Sequence, residues 1–324
     1  MSNPGSRYRE NNPLHHTKSG FRNINLKSDP ARLADYLSFF FRRFMESLKA
    51  SPPPVPVIIN GEPLHNQQHT VTWIGHSTLL VKMNGVYFLT DPHFSERASP
   101  FRFAGPKRYT PPARNCQSLP AIDFVLISHN HYDHLDKATV NVLAEQGARF
   151  FVPLKVKAWF EKLGIQNVIE LDWWDVIQYR DFTITSVPAQ HFSGRSLWDR
   201  NRTLWAGWVV SSPEKRFYFA GDSGFFNGFR EIGERLGPLD LAALPIGAYQ
   251  PRTIMQPVHL DPDEAIHAFL ELRARRFVGI HWGTFVLSDE PPSEPQQRVM
   301  AAAAARHLDE RTIWILKPGE TQAW

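Results

Sequence analysis

At 324 residues, with 42% hydrophobic and 13% aromatic side chains, the chain is long and apolar enough to bury the core of one large domain or two small ones. Its single cysteine, Cys116, excludes an intramolecular disulfide framework and a thiolate metal cluster, so any metal site must be built from His and carboxylates. A formal net charge of +4 is a modest bias toward anionic partners such as phosphate esters or acidic lipid surfaces; zinc-finger spacing, an RNP-like segment and a dense basic run are all absent, which argues for no nucleic acid partner.

The first residues, MSNPGSRYRENN, are polar and lack the apolar core of a signal peptide, and no later stretch approaches the roughly 18–20 apolar residues of a spanning helix. This predicts a protein that is cytoplasmic or peripheral on the inner membrane face. Residues 1–28 read as a polar, mobile segment, and Ser28-Asp29-Pro30 as a helix start. A helix over about 30–49 follows, with Leu33, Tyr36, Leu37, Phe40, Phe41, Phe44 and Leu48 at spacings of three and four. Its apolar side has three readings: packing on the domain or in a dimer, lying in a lipid interface with Arg42 and Arg43 toward head groups, or holding a peptide. SPPPVP at 51–56 works as a stiff linker, so the chain divides into an N-terminal unit, 1–56, and a main domain, 57–324.

From Val71 the pattern turns to short β-rich runs, VTWIG, STLLVKM and VYFLTDP, with Asn84-Gly85 marking a hairpin between the last two. AIDFVLIS at 121–128 and ARFFVP at 148–153 read as strands, with a helix between them ended by Gly147. Further strands are predicted at VIELDWW, FTITSVP, LWAGWVVS, RFYFAGDS, LAALPIG and FVGIHW, and helices at 155–163, 226–236, 261–275 and 294–308. Sheet-rich segments with helices between them, in two successive halves, imply an α/β protein in which two sheets pack face to face with helices outside, an αββα sandwich.

Ser128-His129-Asn130-His131-Tyr132-Asp133-His134 places four potential ligands within six residues, directly after an apolar strand. Neutral imidazole and carboxylate suit zinc, and three or four of them hold one ion. Four ligands on one such loop do not all reach a single tetrahedral ion, so the motif points to two adjacent ions completed from elsewhere. Three later apolar runs finish on a candidate: SVPAQH on His191, RFYFAGD on Asp222 and FVGIH on His281. A lone buried His or Asp is more often a satisfied core residue; together with the cluster these three read as a ligand set.

This order, H-x-H-x-D-H, then His, then Asp within G-D-S, then His, is similar to the metallo-β-lactamase superfamily. The resemblance implies the fold of that superfamily, with His129, His131 and His191 on one zinc, Asp133, His134 and His281 on the other, and Asp222 bridging. Longer segments, among them WIGHSTLLVKMNGVYFLTDPHFSERASPF, LPAIDFVLISHNHYDHLD, FYFAGDSGF, RLGPLDLAALPIGAYQPR, HLDPDEA and HWGTF, closely resemble the N-acyl-phosphatidylethanolamine-hydrolysing phospholipase D family and its bacterial relatives, from about residue 70 onward. What that resemblance implies is a zinc phosphodiesterase, with two Zn ions per chain, a phospholipid substrate, peripheral membrane association and a homodimer. Release of phosphatidic acid and an N-acylethanolamine would follow attack by a metal-bridging hydroxide, with Asp133 and Asp222 in the catalytic centre. His259, in QPVHLDPDEA, matches a family histidine near the head group; its other reading is a helix-capping turn. His76 in WIGHST lies near the expected site face, and Asp136 orients a ligand imidazole or caps the following helix. Two rival functions remain open at this level: a same-fold hydrolase of a lactone or small phosphodiester, and a membrane-associated binding scaffold without turnover.

Overall fold

The computed structural model describes residues 13–24, 26, 33–47, 51–58, 68–196 and 198–324. Ser28-Asp29-Pro30 and Leu48 lie outside these residues, as does Leu197. Two seven-stranded sheets face each other. The first opens as a meander of β1 (His69–Gly75), β2 (Thr78–Met83) and β3 (Val86–Thr90), continued in parallel by β4 (Phe124–Leu126), β5 (Arg149–Pro153) and β6 (Val168–Leu171). The predicted Asn84-Gly85 turn joins β2 to β3 with both residues at positive φ, 51° and 78°, the combination that a two-residue hairpin with right-handed strand twist requires.

The second sheet begins with β7 (Val176–Tyr179), β8 (Phe182–Val187), β9 (Gly207–Ser211) and β10 (Arg216–Phe219), all antiparallel. It ends with β11 (Leu241–Pro245), β12 (Phe277–Ile280) and β13 (Ile313–Trp314), parallel to β10. A last strand, β14 (Thr321–Ala323), returns to pair with β1 and closes the first sheet. Helices cover the outer faces, among them α2 (Lys137–Glu145) and α3 (Lys157–Glu161) on the first sheet and α4 (Gly228–Leu236), α6 (Pro262–Glu271) and α7 (Glu294–Ala305) on the second. The αββα architecture expected from the sequence is the one observed.

The near-continuous apolar run 121–127 has a simple cause: both faces of β4 are covered. Phe124 and Leu126 point between the sheets, where Phe124 and Phe88 stack at 4.6 Å and Phe88 meets Phe217 of the second sheet edge-on at 5.6 Å. Val125 and Ile127 point the other way, onto Val140, Leu143 and Phe160 of the outer helices. Each such fully buried side chain contributes on the order of 1.5–3 kcal/mol. β7 was absent from the sequence reading because its residues alternate between exposed and half-buried at a sheet edge, which leaves little apolar signal.

Helix α1 (Leu33–Ser47) lies within the predicted span and packs Tyr36 and Phe39 on Ile254 and Met255 of the short α5 (Arg252–Met255). Arg42 and Arg43 pair with Asp289 at 2.9 Å rather than standing free for head groups, whereas Leu37, Phe41 and Met45 form an exposed stripe one turn apart. The side chains of Phe40 and Phe44 lie outside the described ones. Residues 13–24 are not the mobile segment that their polarity suggested: they fold as a small hairpin against the second half of the chain, with Phe21 buried.

Candidate metal centre

The loops that follow β3, β4, β8, β10, β11 and β12 gather at one edge of the sandwich and bring all seven proposed ligands together. Four come from the loop after β4, His191 follows β8, Asp222 follows β10 and His281 follows β12. In the first set, His129 Nε2 is 2.8 Å and His191 Nε2 is 3.3 Å from His131 Nδ1. In the second, Asp133 Oδ2 lies 3.2 Å from His134 Nε2 and 3.4 Å from His281 Nε2. Asp222 Oδ2 is 3.1 Å from each of those two nitrogens and 3.8 Å from His191 Nε2, so it stands between the sets.

These distances test whether a metal fits. Ligands about 2.0–2.2 Å from a tetrahedral ion are about 3.3 Å from one another, which is the spacing of the second set. His134 Nε2, both ring nitrogens of His281 and Asp222 Oδ1 are buried without a hydrogen bond. Unpartnered buried polar atoms are costly in a finished core, and a cation placed beside His134 Nε2 and His281 Nε2, which face the same two carboxylates, satisfies them. The residues present therefore fit a metal centre bound by imidazole and carboxylate.

Local structure aims each ligand. Asp91, at the end of β3 and wholly buried, accepts from Ser128 N at 2.7 Å and Ser128 Oγ at 2.5 Å, and its Oδ2 is 2.6 Å from His134 Nδ1. That bond leaves His134 Nε2 directed into the centre. His191 Nδ1 faces the Val258 carbonyl at 2.9 Å with the same effect. Arg195 Nη1 donates to the carbonyls of Asn130 and Leu135 at 2.8 and 3.0 Å, clamping both ends of the ligand loop, and its guanidinium stacks 3.8 Å over the Tyr132 ring. His76 and His281 both adopt left-handed backbone, φ 53° and 60°, and His281 N donates to His76 O at 3.0 Å. Gly221, before Asp222, has φ 60°, and a Cβ there would sit 2.4 Å from Ser128 Cβ, so only glycine lets the two ligand-bearing strand ends approach.

Electrostatics point the same way. Burial pushes His131 down to about 4 and His191 to about 3, keeping both imidazoles neutral as ligands must be. Burial opposes charge on His134 and His281 too, yet Asp222 and Asp133 raise His134 well above the ordinary value and His281 to about 9. Although burial acts against it, His134 in turn holds both carboxyls well below the ordinary range. The space between the two carboxylates thus demands positive charge, which a divalent cation would supply with both imidazoles neutral.

His259 sits at the centre rather than capping a helix. Its Nδ1 is unpartnered, 4.0 Å from Asp222 Oδ2, and its ring is 5.1 Å from His191. Asp261, not His259, caps α6. His76 Nε2 contacts Asp133 Oδ2 at 2.9 Å, so it steadies a ligand. Asp136 takes the capping role: it accepts from Ala138 N at the start of α2 and from Ser95 and Thr139. Trp173, Trp205 and Trp208 are core, and Trp198 is 82% exposed. Sequence reasoning missed Asp91, although VYFLTD is one more apolar strand ending on a carboxylate, and it missed Asn23 and Arg195, which carry no such signal.

Comparison with known proteins agrees with this geometry. Residues 87–282 match the Beta-lactamase superfamily domain, a stretch that holds all seven candidate ligands and leaves the N-terminal hairpin outside. The chain is 44% identical over 257 residues to the N-acyl-phosphatidylethanolamine-hydrolyzing phospholipase D 1 of Caenorhabditis elegans, covering 75% of this chain and 72% of that one. It is 37% identical to the mitochondrial N-acyl-phosphatidylethanolamine-hydrolyzing phospholipase D of Saccharomyces cerevisiae, over 70% of this chain and 50% of the yeast protein. Among solved structures, the metallo hydrolase Igni18 of Ignicoccus hospitalis superposes with a TM-score of 0.60 at 25% identity, over 78% of this chain and 97% of its own.

Proposed function

We propose that this chain, which belongs to the beta-lactamase superfamily and is a metal-dependent hydrolase of phospholipase D type, holds two zinc ions and hydrolyses N-acyl-phosphatidylethanolamine to phosphatidic acid and an N-acylethanolamine. The observation that carries the reading is the meeting of seven His and Asp donors in two sets with one carboxylate, Asp222, between them.

Two bound divalent cations supply Lewis-acid stabilisation of charge on the phosphoryl oxygens and lower the pKa of water so that a nucleophile exists near neutral pH. The residues do the rest. His129, His131 and His191 present three neutral nitrogens on one side; Asp133, His134 and His281 present the second set. Asp222 holds the two sets in register, and Asp91 and Val258 fix which imidazole nitrogen His134 and His191 offer. His259 turns its unpartnered Nδ1 toward the same centre, where it can hydrogen-bond a phosphoryl oxygen or the departing alcohol. With only two carboxylates among the seven donors, an anionic phosphodiester is electrostatically favoured over a neutral substrate.

The exposed stripe Leu37, Phe41 and Met45, one side chain per turn on α1, supports a lipid surface as the place where the substrate is met. A single experiment addresses the reading. Metal content of the purified protein is measured alongside mass-spectrometric detection of products from N-acyl-phosphatidylethanolamine in mixed micelles and in vesicles, for wild type, Asp222→Asn and Phe41→Asp. About two zinc per chain with phosphatidic acid release, lost in Asp222→Asn and lost only on vesicles in Phe41→Asp, is the expected result. Two zinc without lipid turnover, but with cleavage of bis-p-nitrophenyl phosphate or a lactone, would overturn the lipid assignment; two zinc with no turnover of any of these would favour a binding scaffold.

A further inference from the structure

The N-terminal hairpin reaches a metal ligand. Asn23 Nδ2 donates to the His191 carbonyl at 2.8 Å and Asn23 Oδ1 accepts from His191 N at 3.2 Å, so one side-chain amide pairs with the whole peptide flank of that residue as a neighbouring strand would. His191 lies in an irregular loop between β8 and β9, with no ladder to hold it. Its ring is fixed through Nδ1 by Val258; its backbone is fixed by Asn23.

The hairpin is itself pinned at its far end. His15 Nε2 meets Asp172 Oδ1 at 2.7 Å and His16 Nε2 meets Asp172 Oδ2 at 2.8 Å, one imidazole on each carboxylate oxygen. That arrangement is complete as a hydrogen-bonded latch, each oxygen already having its own imidazole partner. His15 stacks on Trp173 with ring centroids 4.2 Å apart, and Phe21 is buried with Trp173 and Trp205. Between latch and tip, Phe21 N donates to Asn201 O at 2.8 Å, and at Gly20 a Cβ would lie 2.0 Å from that same carbonyl, so the chain crosses the 193–203 loop in direct backbone contact. Asn201 N donates to Ser193 O at 2.9 Å, two residues beyond His191.

We infer that residues 13–24 are a strap that sets the position of His191, with Asn23 as its positioning residue and the His15–Asp172–His16 latch as its anchor. The inference rests on the two-ion reading only for its effect on the metal; its effect on the His191 backbone stands apart. Without Asn23 the loop loses two hydrogen bonds at the one ligand that the later half of the chain contributes to the first set. Loss of such outer contacts typically weakens metal binding by about 10–100-fold.

The test compares full-length wild type with Asn23→Ala, Asn23→Asp, which keeps the acceptor and loses the donor, and the remote pair His15→Ala/His16→Ala. Amide hydrogen exchange of the segment 189–193 is measured on protein as purified and after chelator treatment, with zinc affinity by chelator competition. The expected result is exchange at 189–193 faster by about tenfold in Asn23→Ala and in the latch pair, less in Asn23→Asp. Combining Asn23→Ala with the latch pair should add little, because both act through one strap. One of the two ions should bind about 10–100-fold more weakly, the other unchanged, with the thermal midpoint of metal-free Asn23→Ala unaltered. Unchanged exchange at 189–193 overturns the strap, and so does faster exchange spread evenly over the fold with a lowered midpoint. Wild type holding fewer than two ions would overturn the two-ion reading, while exchange in the metal-free protein still decides the strap.

Discussion

Asp91 collects three buried donors on one carboxylate: the Ser128 amide, the Ser128 hydroxyl and His134 Nδ1. Burial raises its pKa while His134 and Ser128 pull it back, so those bonds favour the ionised carboxylate against burial. Replacing Asp91 by Ala strands the Ser128 amide and hydroxyl and frees the His134 ring to turn. The expected cost is about 3–5 kcal/mol in urea unfolding, together with loss of bound metal; a loss below about 1 kcal/mol would show that water takes over the carboxylate's role. At this scale the ligands were legible because chemistry-bearing residues stood at the ends of apolar runs. Asp91 obeys the same pattern and could have been found by it. Asn23 could not, since an asparagine in a polar N-terminal segment carries no mark of the loop it will touch.

Among the elements, α6 shows how a helix start serves the centre. Asp261 accepts from Glu264 N at 2.9 Å while the Glu264 carboxylate accepts from Asp261 N at 3.0 Å, a reciprocal capping box with Pro262 in the first turn. Glu264 also takes Arg252 at 2.7 Å, and Arg252 donates to the His259 carbonyl at 3.2 Å, so cap and His259 belong to one network. Asp261→Ala is expected to lower stability by about 1 kcal/mol and to reduce turnover by displacing His259, read from urea midpoints and product release. Stability lost with turnover intact would separate the cap from the site. The helix itself was readable from LDPDEA, whereas the half-exposed edge strand β7 and the two- to three-residue β13 and β14 were not, because propensity and periodicity need length to speak. For α1 the spacing announced an amphipathic helix, but it did not say that Tyr36 and Phe39 would dock on Ile254 and Met255 while Leu37, Phe41 and Met45 faced outward.

For the whole molecule, the two covered sheets make Cys116 a reporter. Its thiol is buried beneath α2, and burial, with Asp136 adding to it, pushes the pKa up to about 11. Because the thiolate is the reactive form, alkylation of the native protein should be slow at pH 8 and rise only as pH approaches that value, whereas protein in urea should react at the rate of a free thiol. Rapid labelling of the native protein at pH 8 would show that the outer helical layer opens independently of the sandwich. Taken alone, the sequence determined the α/β class, the alternation of strands and helices and the seven candidate ligands, because local periodicity and residue chemistry are written along the chain. Only the tertiary structure decided that Asp91 and Val258 select the ligating nitrogens, that Arg195 clamps the ligand loop, and that the polar N-terminal segment folds back onto His191. Each of these is a contact between residues dozens to more than a hundred positions apart, set by how two sheets pack, and packing leaves no periodic trace in either partner.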